Sequence, residues 1–356
     1  MVNEMRKRAL ARLSGCEAVP NGPSDDSDPT AAARAIVSAT LERYGFSRDA
    51  IVTLVNVSEN VTYRVDDPSY GCSAAIRIHR PDYHSRAAIE SELAWLDSLR
   101  KSGVIEPPRP LTALDGSRVI TVRVSSDAIQ RHVVLFEWLG GQQPDTDSDL
   151  KSKFRILGGL AAKIHLHGSE WNPPASFTRY TCDYDAGLGH RAMWGRWQNG
   201  LGLGSSERAI LSRTDEEIRA RLDEYGTGPD CFGLCHNDLR LANLLIDGDH
   251  IRVIDFDDCG YSWYMYDFAT AVSFIEDHPG VGDWLSAWVG GYQAHRALSS
   301  VNFLLIPTLV MFRRLILVGW VGSHHTYAPE AAALGSAFTS ATCDLAESYL
   351  AGRFLR

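Results

Sequence analysis

At 356 residues, 45% of them apolar and 22% charged, the chain is long enough to bury two modest cores and has the composition of an ordinary globular protein. Its net charge of -9 argues against nucleic acid as a partner. Seven cysteines show no zinc-type spacing and no apolar run reaches the roughly 18 residues of a membrane span, which points to a reduced, cytoplasmic protein outside the membrane.

Residues 1–30 hold a short basic segment (Arg6, Lys7, Arg8) and then the polar stretch NGPSDDSDP, which read together as a flexible N-terminal appendage. No apolar core follows the basic residues, so no signal peptide is expected. TAAARAIVSATLERY has helical periodicity, with Thr30 as a plausible N-cap. The β-branched runs IVTLVNV and VTYRV, separated by SEN, predict a hairpin, and SAAIRIHRP predicts a third strand. SRAAIESELAWLDSLRKSG is amphipathic, with Ile89, Leu93, Leu96 and Leu99 on or near one face. A further strand pair, SRVITVRV and RHVVLFEWLGG, ends at Gly140-Gly141.

Beyond that point the pattern turns helical. DLKSKFRILGGLAAKIHLHG reads as one long helix ended by His165 and His167, cations of the kind a helix C-terminus favours rather than metal ligands. The aromatic stretch holding Trp171, Tyr180, Tyr184, Trp194 and Trp197 either packs the second lobe or walls an acceptor pocket. Helical segments are expected at 206–225 and near 266–277, 283–296 and 303–319, before an Ala-rich terminal helix. The run FLLIPTLVMF reads as a buried helix interrupted by Pro307 and stopped by Arg313 and Arg314. Cys231 and Cys235 read as buried thiols.

The informative stretch is Leu234 to Phe268. His236, Asp238 and Asn243 form H-x-D-x-x-x-x-N, and Asp255 closes the strand-like run IRVID, with Gly248 in the intervening turn. Protein kinases carry H-R-D-L-x-x-x-N followed by D-F-G on the next hairpin. Phosphoryl transfer needs these residue types because its chemistry is positioning and charge stabilisation around phosphate oxygens and Mg²⁺. Asp238 is the candidate to orient or deprotonate an acceptor hydroxyl. Asn243 and Asp255 offer the hard oxygen ligands that Mg²⁺ accepts. His236, a second candidate on this loop, reads as a backbone organiser.

The stretch resembles the catalytic segment of the aminoglycoside phosphotransferase, choline kinase and homoserine kinase superfamily. Asn237 stands where that family usually has the Gly of His-Gly-Asp, and Asp255-Phe256-Asp257 fits its frequent D-x-D. The resemblance implies an α+β, bilobal protein-kinase-like fold, with a β-rich N-lobe at 31–140 and a helical C-lobe at 141–356. It also implies ATP (or GTP) and Mg²⁺ between the lobes. Arg77 falls at the position of the phosphate-binding Lys, and Glu92, with Glu90 as competitor, at that of its ion-pairing Glu. Ser58 falls in the loop over the nucleotide, and the backbone of Phe136 and Trp138 in the adenine-binding hinge. Asp257 would touch a second metal or the acceptor, and Asp267 would support the loop from below.

The implied reaction moves the γ-phosphoryl group of ATP to a hydroxyl of a small molecule, either an antibiotic such as an aminoglycoside, which would make the protein a resistance enzyme, or a metabolite such as homoserine or choline. The alternatives are a stress-response type Ser/Thr protein kinase and a non-catalytic nucleotide-binding protein. The short interval from Asp255 to Asp267 leaves little room for a peptide platform. Oligomeric state has no sequence signal.

Overall fold

The β-branched runs of the first third pair into one antiparallel sheet with side chains alternating between its faces. In the computed structural model, which describes residues 29–355 apart from 59, 70, 124–129, 147 and 249, its strands are β1 (Ile51–Val57), β2 (Val61–Asp66), β3 (Ser73–Ile78), β4 (Ile120–Arg123) and β5 (Gln130–Glu137). They lie in the order β1-β2-β3-β5-β4. The expected flexible segment falls outside the described residues except for its end, where helix α1 (Pro29–Tyr44) has already begun. Thr30 therefore lies inside α1 instead of capping it.

Alternation along β5 places Val133 and Leu135 in one core with Ile36, Val37 and Leu41 of α1. Val134 and Phe136 face the opposite way, into a core shared with Leu93, Leu96 and Leu99 of helix α2 (Arg86–Ser102). Ser85 caps α2 by accepting the Ala88 N–H, and Gly103 ends it at φ 69°. This second core continues without a break into the helical part of the chain.

The sheet ends at a close approach. Gly141 (φ 128°) leaves room for Leu245 and Ile246, whose atoms a Cβ there would meet at 3.0–3.3 Å. Gln142 and Ile246 then exchange backbone hydrogen bonds of 3.0 and 2.8 Å. The helices that follow are α3 (Leu150–Glu170), α4 (Tyr184–Gly187), α5 (Ser205–Tyr225), α6 (Tyr266–Ala271), α7 (Val281–Gln293), α8 (Ser300–His324) and α9 (Pro329–Leu350). Two small sheets sit among them: β6 (Phe232–Cys235) with β9 (Gly260–Trp263), and the hairpin β7 (Leu244–Asp247) with β8 (His250–Val253). The bilobal, kinase-like α+β arrangement is the expected one.

Three helices differ from expectation. α3 runs past His165 and His167 to Glu170, so His165 lies inside it and is fully buried. The helix expected over 266–277 stops at Ala271, because Phe274 takes φ 69°, which a helix does not admit. α8 continues through Pro307 and past both arginines to His324. Arg313 and Arg314 do not stop it because both are buried and partnered, Arg314 by Glu276 at 2.5 Å and Thr342 at 2.9 Å. By length and hydropathy α8 would span a membrane, but 72% of its most apolar window is buried inside the protein, where it forms the centre of the C-lobe core.

Candidate active site

The loop between β6 and β7 takes its shape from below. Asp267, fully buried at the start of α6, accepts the His236 N–H at 3.2 Å and the Asn237 N–H at 2.7 Å. His165 Nε2 donates to the same carboxylate at 2.8 Å, and the Tyr292 hydroxyl sits 3.0 Å from His165 Nδ1. Thr270 Oγ1 accepts the Leu239 N–H at 2.9 Å. Asn237 adopts φ 66°, the left-handed region that Gly, and among other residues Asn, enters most readily. This explains how Asn replaces the family's Gly.

His236 is sealed from solvent. Its Nδ1 accepts the Asp238 N–H at 3.2 Å, so Nε2 donates to the Ile254 carbonyl at 3.1 Å. Both ring nitrogens are thus engaged by backbone groups, the arrangement of a loop organiser rather than of a proton-transfer group.

Asp238 faces the cleft with both oxygens held. Arg313 Nη2 donates to Oδ1 at 2.6 Å and Asn243 Nδ2 to Oδ2 at 2.7 Å, while Arg240 Nε lies 3.6 Å from Oδ2. Arg240 is turned toward Glu330 of α9, at 2.9 Å. With its amide nitrogen bonded to Asp238, Asn243 keeps its oxygen available. Asp255 presents a carboxylate with 46% of the side chain exposed on the same cleft, in left-handed backbone (φ 62°). An amide oxygen beside Asp238 and the carboxylate of Asp255 are the kinds of donor a magnesium ion takes, so the chemistry of these residues fits the ion.

Arg77 resolves the choice of helix carboxylate. Its Nη2 lies 2.7 and 2.6 Å from the two oxygens of Glu92, and Nη1 reaches Asp255 at 3.2 Å. Glu90 is exposed and pairs with Arg86. Burial opposes the charge on Arg77, but Glu92, Asp257 and Asp255 outweigh it and raise its pKa.

Asp257, expected to touch a second metal or the acceptor, lines the same cleft as Asp238 and Asp255 but is largely enclosed. Its side chain is 5% exposed and accepts Asn60 Nδ2 at 2.6 Å, with His79, His84 and Arg77 at 3.4, 3.7 and 3.7 Å. Burial would raise its pKa, yet Arg77 and its other cationic neighbours hold it well below the carboxylate range. Asp257 thus serves as the buried counter-charge of the site. Burial pushes His84 down to about 4 and His79 well below its ordinary value.

Ser58 lines the cleft with Asn56, Asn60 and Thr62, but its N–H is taken by the Asn60 carbonyl at 3.0 Å. The Trp138 N–H donates to the Ser73 carbonyl at 3.1 Å, next to the β3–β5 ladder, so in this structure that amide is already engaged. The Phe136 ring is buried beneath the Arg77 guanidinium, 4.9 Å away. The cleft that holds Asp238 is also lined by Trp194, Asp258, Phe274, Ile316, Leu317 and Trp320. Of these, only Trp194 was marked by the sequence reading. Arg313 and Asp258 were missed as site residues, although a charged residue inside an apolar helix is itself a signal of a partner.

Residues 51–304 match the family model described as the phosphotransferase enzyme family. Amicoumacin kinase of Bacillus subtilis (strain 168) is 24% identical over 299 residues, covering 80% of this chain and 83% of its own. Among solved structures, the microcompartment-associated aminopropanol kinase is 44% identical with a TM-score of 0.83, covering 91% of this chain and 99% of that one. Amicoumacin kinase hAmiN, in complex with AMP-PNP, Ca²⁺ and Ami, is 19% identical with a TM-score of 0.71, covering 87% and 93%.

Proposed function

This chain belongs to the phosphotransferase enzyme family and is a kinase acting on an alcohol group, and from that premise we propose that its acceptor is a small amino alcohol. ATP and Mg²⁺ are its nucleotide and ion. The observation that carries the acceptor class is the wall of the cleft beside Asp238. Asp258 lines this part of the cleft, as do Trp194, Phe274, Trp320, Ile316 and Leu317. Tyr83 donates its hydroxyl to Asp258 at 2.5 Å and accepts Trp194 Nε1 at 2.9 Å, which fixes the carboxylate against the aromatic edge. A carboxylate beside aromatic faces suits an ammonium group, and the aliphatic side chains suit a short carbon body. The likeness to an aminopropanol kinase at 44% identity supports the same acceptor class.

In the reaction, Asp238 receives the acceptor hydroxyl and takes its proton as the new O–P bond forms and the bond to ADP breaks. Asn243 and Asp255 would hold the magnesium ion, which would supply positive charge to offset that of the phosphates. Arg77, fixed by Glu92, steadies the α and β phosphates. Between Asp255 and Asp267 the chain is used up by a 3-10 turn and by β9, which pairs with β6, so no peptide-binding segment lies there. That weighs against a protein substrate.

The test is ATP consumption with 1-amino-2-propanol, ethanolamine, choline, homoserine, amicoumacin, an aminoglycoside and a generic protein. The highest kcat/KM is expected on a short primary amino alcohol. A clear preference for an antibiotic or for the protein would sink the proposal.

A further inference from the structure

Arg313 sits midway along α8 in an otherwise apolar run, LVMF before it and LILV after Arg314. A charge placed there is costly unless it is partnered and held. Its neighbour Arg314 is neutralised within the helical core by Glu276, and so serves packing. Arg313 instead reaches the cleft, and all three of its guanidinium nitrogens have partners. Nε donates to Ser273 Oγ at 3.1 Å, Nη1 faces the Tyr266 hydroxyl at 3.5 Å, and Nη2 donates to Asp238 Oδ1 at 2.6 Å. Ser273 and Tyr266 belong to α6 and the turn after it, outside the loop that carries Asp238. The guanidinium plane is therefore set by the scaffold, and the loop carboxylate is aligned to it.

We propose that Arg313 is the positioning residue of the reaction. It fixes Oδ1 of Asp238 while Asn243 fixes Oδ2, so the carboxylate cannot turn about its Cβ–Cγ bond. The acceptor hydroxyl then meets a lone pair of constant direction. Without Arg313, Asp238 keeps Asn243, a partner from its own loop, as its anchor, and the alignment to α8 is lost. A misplacement of about 1 Å at a reacting group costs on the order of 100-fold in rate. Such a loss falls chiefly on kcat, because the hydrogen bond lost is the one to Asp238, which meets the reacting hydroxyl. Lysine at 313 keeps the charge but has no fork with which to hold Ser273, Tyr266 and Asp238 together. The proposal rests on the reading of Asp238 as the carboxylate that orients the acceptor.

The experiment uses the full chain with Mg²⁺, ATP and 1-amino-2-propanol, with slow ATP hydrolysis by water followed in parallel, and a fluorescent ATP analogue to measure nucleotide binding. Arg313→Ala is expected to lower kcat about 100-fold with both KM values within about threefold. Guanidinium ion, but not sodium at equal ionic strength, is expected to restore about tenfold. Arg313→Lys, which keeps the helix and the charge should the alanine variant fail to fold, is expected to lose at least about tenfold in kcat at unchanged KM. Wild-type kcat in Arg313→Lys overturns the proposal. So does a loss in Arg313→Ala that guanidinium does not restore and that comes with lost nucleotide binding, since that is the mark of a purely structural role. Full activity of Asp238→Asn overturns the reading of Asp238 and leaves the measured Arg313 effect to be explained separately.

Discussion

Arg77 Nη2 lies 2.7 and 2.6 Å from the two carboxylate oxygens of Glu92, a buried pair that joins β3 to α2 at the back of the nucleotide cleft. Removing one member of a buried pair costs up to about 3–5 kcal/mol, less here because Asp255 and Asp257 still face Arg77. Glu92→Ala should therefore lower the urea midpoint strongly and weaken Mg²⁺-ATP binding at least tenfold, roughly the worth of a charge-assisted contact. Glu90→Ala, which removes an exposed pair with Arg86, should change stability by no more than about 0.5 kcal/mol. Equal damage from the two substitutions would refute the assignment.

Asp238→Asn keeps the shape of the side chain and removes its capacity to take a proton. Turnover should fall by about 10²–10⁴-fold while a fluorescent ATP analogue still binds in the presence of Mg²⁺. Loss of binding together with turnover would mean that Asp238 holds the nucleotide instead.

Asp258→Asn removes the negative charge on the acceptor side. KM for 1-amino-2-propanol should rise at least about tenfold, with KM for ATP unchanged, because a charge-assisted contact is worth roughly 1.5–3 kcal/mol. An unchanged acceptor KM would place the ammonium group elsewhere.

Asn237 stands at φ 66° with its N–H on Asp267. Asn237→Gly should leave thermal stability unchanged or slightly raised. Asn237→Ala should cost about 1 kcal/mol, since a Cβ disfavours left-handed backbone. Melting curves of the two variants decide this, and a stable alanine variant would contradict it.

His84 is held neutral by burial with its pKa near 4, against 6.5 for an ordinary histidine, and it faces Asp257, His79, Arg77 and Arg179. The unfolded chain takes up this proton near pH 6.5 and the folded chain does not. Stability is therefore full above that pH and declines as pH falls toward 4, by at most about 3 kcal/mol from this group. His79, shifted the same way by burial, adds to the slope. Asp257 is depressed, so its contribution persists through this window and is lost only at lower pH. Urea midpoints at pH 7 and pH 5 should differ less in His84→Gln than in the unaltered chain.

The parts of the site that share one short segment were readable in the chain itself. His236, Asp238, Asn243 and Asp255 sit within a loop and the hairpin after it, so their spacing already carries their geometry. Arg77 and Glu92 were readable only through the resemblance, which put Arg77 at the phosphate-binding lysine's position and its partner on the following helix, although two carboxylates remained until the structure separated them. Arg313 was hidden because its partner lies 75 positions away and its role depends on which way a long apolar helix is turned. The arginine pair beside Pro307 looked like the end of that helix, since neither Glu276 nor Asp238 could be paired with it from spacing alone. The neighbours of Asp257 were hidden for a similar reason, since the histidines and the arginine around it come from other elements.

The foundation under the loop has a consequence for every turnover. Asp267 receives two loop amides and is itself held by His165 from α3, so the loop's conformational freedom is already removed when the chain folds. Substrates arriving at the cleft meet a loop with little entropy left to lose. His165→Ala, far from any substrate, should then slow the reaction through a less favourable activation entropy at nearly unchanged activation enthalpy, a difference that appears in the temperature dependence of kcat.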